Sequence, residues 1–273
     1  MGISPWKARE IRVGKYTVKV YDIRPDLPEE IVRTLIPVVM VQGWLEVPES
    51  HRKHIEWLAA HGYRVISIDT PHGLPLSVRA SAGEYVIELQ KAETFVAVME
   101  AMGISRYDLI GRSEGAIVAL LIARHYRARV RNVVLENPAG VIGKDRLHFF
   151  FGRWLFDKRQ SLLNEEGDPK PYAPVPAGSV YKRKRWRSIK ALWAVIHSDM
   201  REALIANKQS GIKTAIIYTK GDQLFPPWLI KNNTCGLADW RYLLDGSHTS
   251  YFSHHEKFAQ GMATALDYLQ KLS

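Results

Sequence analysis

Cysteine is nearly missing from this chain. Cys235 is the only one in 273 residues, so no internal disulfide can form. A reducing, cytoplasmic setting is the expectation. Long apolar runs are missing too. No uninterrupted stretch approaches the ~18 residues of a membrane-spanning helix. The opening segment MGISPWKAREIRVG lacks the apolar centre of a signal peptide, and Trp6 stands where a myristoylation signal wants Ser or Thr. Neither His51 and His54 nor His254 and His255 have Cys or carboxylate neighbours at ligand spacing, and no H-E-x-x-H occurs. The segment GRSEG lacks the lysine of a phosphate-binding loop, so neither metal nor cofactor is expected. There are no internal repeats and no low-complexity tracts. Acidic residues are the minority sign, 28 against 38 basic, for a net charge of +10.

What is present alternates. Residues 10–23 read as an antiparallel hairpin around a Gly-Lys turn, because apolar and polar positions alternate on either side of it. PVVMVQG is a continuous β-branched run and YRVISID a similar one, both suited to strands buried on both faces, and YDLIG, VRNVVLENPAG and TAIIYTKGD read as further strands. Between them lie helical patterns, such as Tyr85, Leu89, Ala92, Val96 and Met99 ahead of Gly103. WRYLL and a closing helix near 254–272 complete the series. This order predicts an α/β fold: a mostly parallel sheet with an antiparallel N-terminal edge hairpin and helices on both faces. Residues 141–212 break the rhythm with two helical patterns and no strand. Leu147, Phe150, Phe151, Trp154 and Leu155 mark the first; Trp186, Ile189, Trp193, Ile196 and Met200 mark the second. The expected organisation is a core of 1–140 and 213–273 with a helical cap inserted at 141–212.

Gly111-Arg112-Ser113-Glu114-Gly115 fits G-x-S-x-G and falls between a predicted strand and a predicted helix. A sharp strand-to-helix turn needs glycines there, because β-carbons would collide with neighbouring elements. A serine hydroxyl attacks a carbonyl only with a base in reach, a partner for that base, and backbone donors for the oxyanion. The chain resembles the α/β-hydrolase family over nearly its whole length. YTKGDQLFPP matches the family's acid loop at Asp222, and LLDGSHTS matches its histidine loop at His248. Their order after Ser113 is the one that fold carries. The resemblance implies Ser113 as nucleophile, His248 as base and Asp222 as the group orienting it. It also implies an oxyanion hole from the amides of Glu114 and Trp44. The family often has His-Gly where this chain has Gln42-Gly43, so support for that loop must come from another group.

Alternatives stand beside several of these assignments. Glu136 occupies an acid position that some family members use instead of Asp222, and His254 and His255 compete with His248. Trp44 suits a pocket wall or packing beneath the cap. Arg112 suits an anionic substrate group, and Glu114 suits the positive end of a helix dipole. Gly43, Trp44, Arg112, Phe150, Trp154, Trp186 and Trp193 are the expected pocket residues, and their aromatic character suggests a hydrophobic acyl or alcohol group.

Residues 141–211 hold 14 Lys and Arg against 7 Asp and Glu. That excess fits a solvated face, a guide for acidic or amphiphilic substrates, or peripheral contact with an anionic membrane. No nucleic-acid module is present, and no nucleic-acid partner is expected. The expected activity is serine hydrolysis of a small-molecule ester or lactone. The residues leave open C–C bond hydrolysis, thioester hydrolysis, acyl transfer on the same triad, or a non-catalytic receptor of this fold. Oligomeric state is not legible.

Overall fold

Continuous apolar runs, rich in β-branched residues and buried on both faces, build the centre of the molecule. The computed structural model describes residues 2–70, 72–75, 85–164, 181–182 and 185–273. The strands are Ala8–Val13 (β1), Tyr16–Ile23 (β2), Val38–Val41 (β3), Val65–Ile68 (β4), Tyr107–Arg112 (β5), Val130–Glu136 (β6), Lys213–Thr219 (β7) and Trp240–Leu244 (β8). They form one sheet in the order β1-β2-β4-β3-β5-β6-β7-β8. The β1–β2 hairpin pairs antiparallel with itself and, through β2, with β4. From β4 to β8 every pairing is parallel.

The helices are Glu29–Thr34 (α1), Arg52–Ala60 (α2), Val86–Ala101 (α3), Glu114–His125 (α4), Leu147–Asn164 (α5), Arg185–His197 (α6), Arg201–Gln209 (α7), Pro227–Asn233 (α8), Ser250–Ser253 (α9) and His255–Leu272 (α10). Successive β-carbons on a strand point to opposite faces, and the two cores follow from that. Val39 and Val41 pack with Phe95 and Met99 of α3, Ile117 and Leu120 of α4, and Leu204 of α7. Val38 and Met40 pack with Ile55 and Leu58 of α2 and with Phe258 and Leu266 of α10. Both faces are therefore covered, as the continuous apolar strands require.

Among the described residues, α5, α6 and α7 lie between β6 and β7. α7, which the sequence pattern did not single out, packs on α4 and β7 as part of the layer on that face. α6 touches α3 and α4. Arg187 of α6 donates to the carbonyl of His72 at 3.1 Å, and the Trp44 indole donates to the carbonyl of Ser188 at 2.9 Å. α5 is held by Phe150, which enters the first core, and by Arg153, which donates to the Leu224 carbonyl at 3.3 Å. The proline-rich stretch at 165–180 and residues 183–184 of the basic run lie outside the described residues.

Candidate active site

The parallel strands end on one side, and the loops that leave them there build the site. β5 passes into α4 through Ser113, whose φ of 51° is in the left-handed region that side chains rarely adopt. Its backbone is held on both sides. Ser113 N–H donates to the Glu136 carbonyl at 2.9 Å, and its carbonyl accepts from Ala116 at 3.0 Å and Ala139 at 3.1 Å. The glycines make the turn possible. A β-carbon at Gly111 would sit 2.6 Å from the Gly115 carbonyl oxygen; one at Gly115 would sit 2.6 Å from that of Gln42, and closer still to that of Val41.

The acid and histidine loops lie side by side. Gly221 N–H donates to the Gly246 carbonyl at 2.8 Å, and a β-carbon on Gly221 would meet that oxygen at 2.9 Å. This contact brings Asp222 Oδ2 within 2.8 Å of His248 Nδ1. Asp222 Oδ1 accepts from the Phe225 amide at 2.8 Å, which fixes the carboxylate. Burial alone would depress the basicity of His248, but the Asp222 charge and hydrogen bond outweigh it and hold the imidazole above its usual pKa. Glu136 does not bond His248. His255 opens α10 with His254 as its N-cap, and neither lines the cavity that His248 and Ser113 share.

Ser113 and His248 both line a cavity of about 340 Å³, without a hydrogen bond between them. Such contacts often tighten only when substrate is present. Among the described residues nothing accepts from the amides of Trp44 and Glu114, which leaves both donors to serve another acceptor. Trp44 lines the cavity while its indole reaches α6, so it both walls the pocket and packs beneath the helices.

Of the expected pocket residues, Trp44, Arg112, Phe150 and Trp154 line the cavity and Gly43 does not. Trp186 and Trp193 do not line it either. They are 76% and 50% exposed, and the inward face of α6 carries Leu192 and Val195 instead. α6 has apolar residues on more than one side, so periodicity left its orientation undecided.

Arg112 is not free to meet an anionic substrate group, because its charge is already engaged. It is 2% exposed and bonds Glu46 Oε1. It also donates to the His248 carbonyl at 3.0 Å and lies 3.1 Å from Glu136 Oε2. The rings of Tyr251 and Phe252 stack over it at 4.3 and 4.7 Å. Glu46 further accepts from the Gly43 amide at 2.7 Å and bonds His51 at 2.9 Å; His51 in turn meets the Tyr251 hydroxyl at 2.7 Å. Burial would raise the Glu46 pKa, but Arg112, His51 and the Gly43 amide hold it down to about 2. Glu46 thus supplies loop support where the family often has histidine; Gln42 turns instead to Ser67. For Glu136 burial wins. Its carboxyl is pushed up to about 7, because Arg112 and His248 offset only part of that penalty.

Asp157 of α5 also lines the cavity. Nothing in the spacing of Glu46, His51, Tyr251 or Asp157 marked them out. The one available signal was the unusual charge of Arg112 beside Ser113, which by sequence alone suits an anionic substrate group rather than a buried partner.

A strained serine at a strand-to-helix turn, with an Asp–His pair at the same sheet edge, defines the α/β-hydrolase class of site. The alpha/beta hydrolase family matches residues 38–261, and the chain belongs to it. A protein of Mycobacterium phage D29, named among the non-heme haloperoxidases, is 24% identical over 255 residues, covering 86% of this chain and 89% of that one. The structure of a bromoperoxidase from Bacillus anthracis superposes with a TM-score of 0.63 at 18% identity, over 96% of this chain and 100% of that one. A thermophilic esterase from Thermogutta terrifontis gives a TM-score of 0.63 at 16% identity, over 96% and 99%. These likenesses concern the fold.

Proposed function

We propose that this chain is a serine hydrolase of carboxylic esters or lactones with a hydrophobic acyl or alcohol group. The observation that carries the reading is the 2.8 Å Asp222–His248 bond beside Ser113 on the wall of one mainly apolar cavity. In this reading His248 Nε2 takes the proton of Ser113 as its oxygen attacks the carbonyl carbon. Asp222 holds the imidazole in the tautomer that leaves Nε2 free to accept. The tetrahedral oxyanion is received by the amides of Glu114 and Trp44. Collapse expels the alcohol, which takes the proton from His248, and leaves an acyl-serine. Water, deprotonated by the same histidine, then releases the acid. α5 and α6 act as the cap, with Phe150, Phe151, Trp154, Leu192 and Val195 lining an apolar pocket over the serine.

The test is a panel of short and long acyl esters and lactones against the wild type and Ser113→Ala, with a fluorophosphonate label reporting on the hydroxyl. Turnover and labelling that both vanish in Ser113→Ala support the reading. Equal turnover in the two forms, or binding with no turnover in either, overturns it.

Two relatives carry haloperoxidase names. An acyl-serine opened by hydrogen peroxide instead of water would yield a peracid, an oxidant for halide. The panel therefore includes peroxide with a bromide-oxidation readout.

The outer faces of α5 and α6 expose Phe149, Leu155, Phe156, Trp186 and Trp193 in a segment of positive balance. Exposed aromatics among basic residues suit an anionic lipid surface, and we assign that face to peripheral membrane contact.

A further inference from the structure

The cavity wall contains a carboxylate that the hydrolytic mechanism does not use. Asp157 is 3% exposed. Among the described residues, its Oδ1 takes two long contacts, from the Gln223 amide at 3.4 Å and the His248 amide at 3.5 Å. No lysine or arginine pairs with it among the described residues. The other acid on the wall, Glu46, is fully engaged by Arg112, His51 and Gly43. Burying a carboxylate without a cation is costly, and burial, together with nearby Asp222, holds the Asp157 carboxyl above its usual pKa.

Helical spacing places aromatic rings beside this group. Phe150, Trp154 and Asp157 fall four and three residues apart on α5, along one face, and all three line the cavity. Trp154 and Phe151 also reach solvent, so they form part of the rim. The electrostatics point the same way. Arg112 is the single Lys or Arg in the lining, its charge is spent on Glu46 and Glu136, and Asp222 stands behind His248. The interior of the site is therefore acidic although the chain as a whole is basic. Such a pocket attracts cations and repels anions.

We propose that Asp157, with the rings of Trp154 and Phe151, forms a subsite for a positively charged amine. The preferred substrate of the site is then a carbonyl compound carrying an ammonium group on its acyl or alcohol arm. Aromatic faces receive the cation at the rim, and the carboxylate compensates its charge inside. This inference rests on the hydrolytic reading of Ser113, so its test includes a measurement that needs no turnover.

Binding of choline to the full chain is compared, by titration calorimetry, with binding of its neutral isostere, in which tert-butyl replaces trimethylammonium. Choline is expected to bind about tenfold more tightly, and Asp157→Asn to remove most of that preference. Turnover is read on two isosteric pairs. One is acetylthiocholine and its tert-butyl counterpart; the other is the p-nitrophenyl esters of aminohexanoic and heptanoic acids. In at least one pair the cationic member is expected to have a KM lower by about tenfold, and Asp157→Asn to erase that ratio. A purely structural Asp157 would change both members of a pair alike. The proposal is overturned if the neutral isostere binds as well as choline to the wild type, or if Asp157→Asn leaves the ratio intact. The wild-type ratio alone decides if that variant does not fold. Turnover of both members without preference removes the subsite and leaves the hydrolase. Asp157-dependent choline binding with no turnover of any ester does the reverse.

Discussion

The guanidinium of Arg112 donates a 3.0 Å hydrogen bond to the carbonyl of His248, a residue 136 positions further along the chain. The same side chain grips Glu46 on the loop that carries Trp44, and pairs with Glu136 at the end of β6. One buried cation thus ties the serine turn, the Trp44 loop and the histidine loop into a single unit. This arrangement assigns Arg112 a positioning role rather than contact with substrate.

Arg112→Lys tests that role. An ammonium lacks the planar fork needed to meet two carboxylates and a carbonyl at once. The expected outcome is a loss of about 3 kcal/mol in stability, because buried charges are left poorly paired. We expect kcat to fall by about tenfold or more while KM for a neutral ester changes by less than about threefold. Denaturant melts and steady-state kinetics check it; a kcat equal to the wild type removes the positioning role.

The pH dependence of kcat/KM follows from His248. In the proposed mechanism His248 is the general base and must be neutral, and Asp222 raises this imidazole above its ordinary 6.5. Activity should therefore rise with pH through a midpoint above 6.5. Asp222→Asn should move that midpoint down and lower kcat by about a thousandfold or more. The same shift makes the pair's contribution to stability full below 6.5 and lost as pH rises through the folded value. A wild-type midpoint at or below that of the Asn variant contradicts the assignment.

Glu136 gives a stability signal of the same sign at lower pH. Its carboxyl is raised from 4.5 to about 7, so the folded state holds a proton that the unfolded chain releases. Stability is full below 4.5 and declines as pH climbs towards 7, by roughly 3 kcal/mol. Glu136→Gln should flatten this slope, whatever it does to absolute stability. Parallel melting curves of the two proteins from pH 4.5 to 8 would be the adverse result.

Gly115→Ala should be among the most damaging single-methyl changes in the chain. The new β-carbon would press on the backbone carbonyls of Val41, the last residue of β3, and of Gln42 just beyond it, and backbone there cannot give way cheaply. A loss of ~3 kcal/mol or more, or failure to accumulate as folded protein, is expected. Thermal melts measure it, with Gly14→Ala as a control at an open turn, where nothing lies within 4 Å and only the positive φ costs.

The exposed tryptophans bear on the membrane face. A Trp186→Gln, Trp193→Gln double variant should bind vesicles containing anionic lipid at least about fivefold more weakly, with its melting curve little changed. Sedimentation with anionic and neutral vesicles reads the effect. Wild-type protein that ignores both vesicle types removes that assignment.

Much of the fold was legible because its causes are local. β-Branched runs read as strands whatever lies across from them, and helical spacing marked α3, α4 and α10. The steric need for Gly111 and Gly115 singled out Ser113, and the loop patterns singled out Asp222 and His248. α7 was missed, since its nine residues bury only Ala203, Leu204 and Asn207, too few apolar positions to stand out from the segments around it.

The sequence by itself determined the order of elements and the type of turn at Ser113, since both depend on residues within a few positions of one another. Only the tertiary structure decided that Arg112 is neutralised by Glu46 and Glu136, that Asp222 and not Glu136 meets His248, that Trp186 and Trp193 face outward, and that Asp157 faces in. A buried charge is tolerable only where distant segments bring it a partner. A helix such as α5, apolar on more than one side, takes its orientation from what it packs against. Both depend on the whole fold.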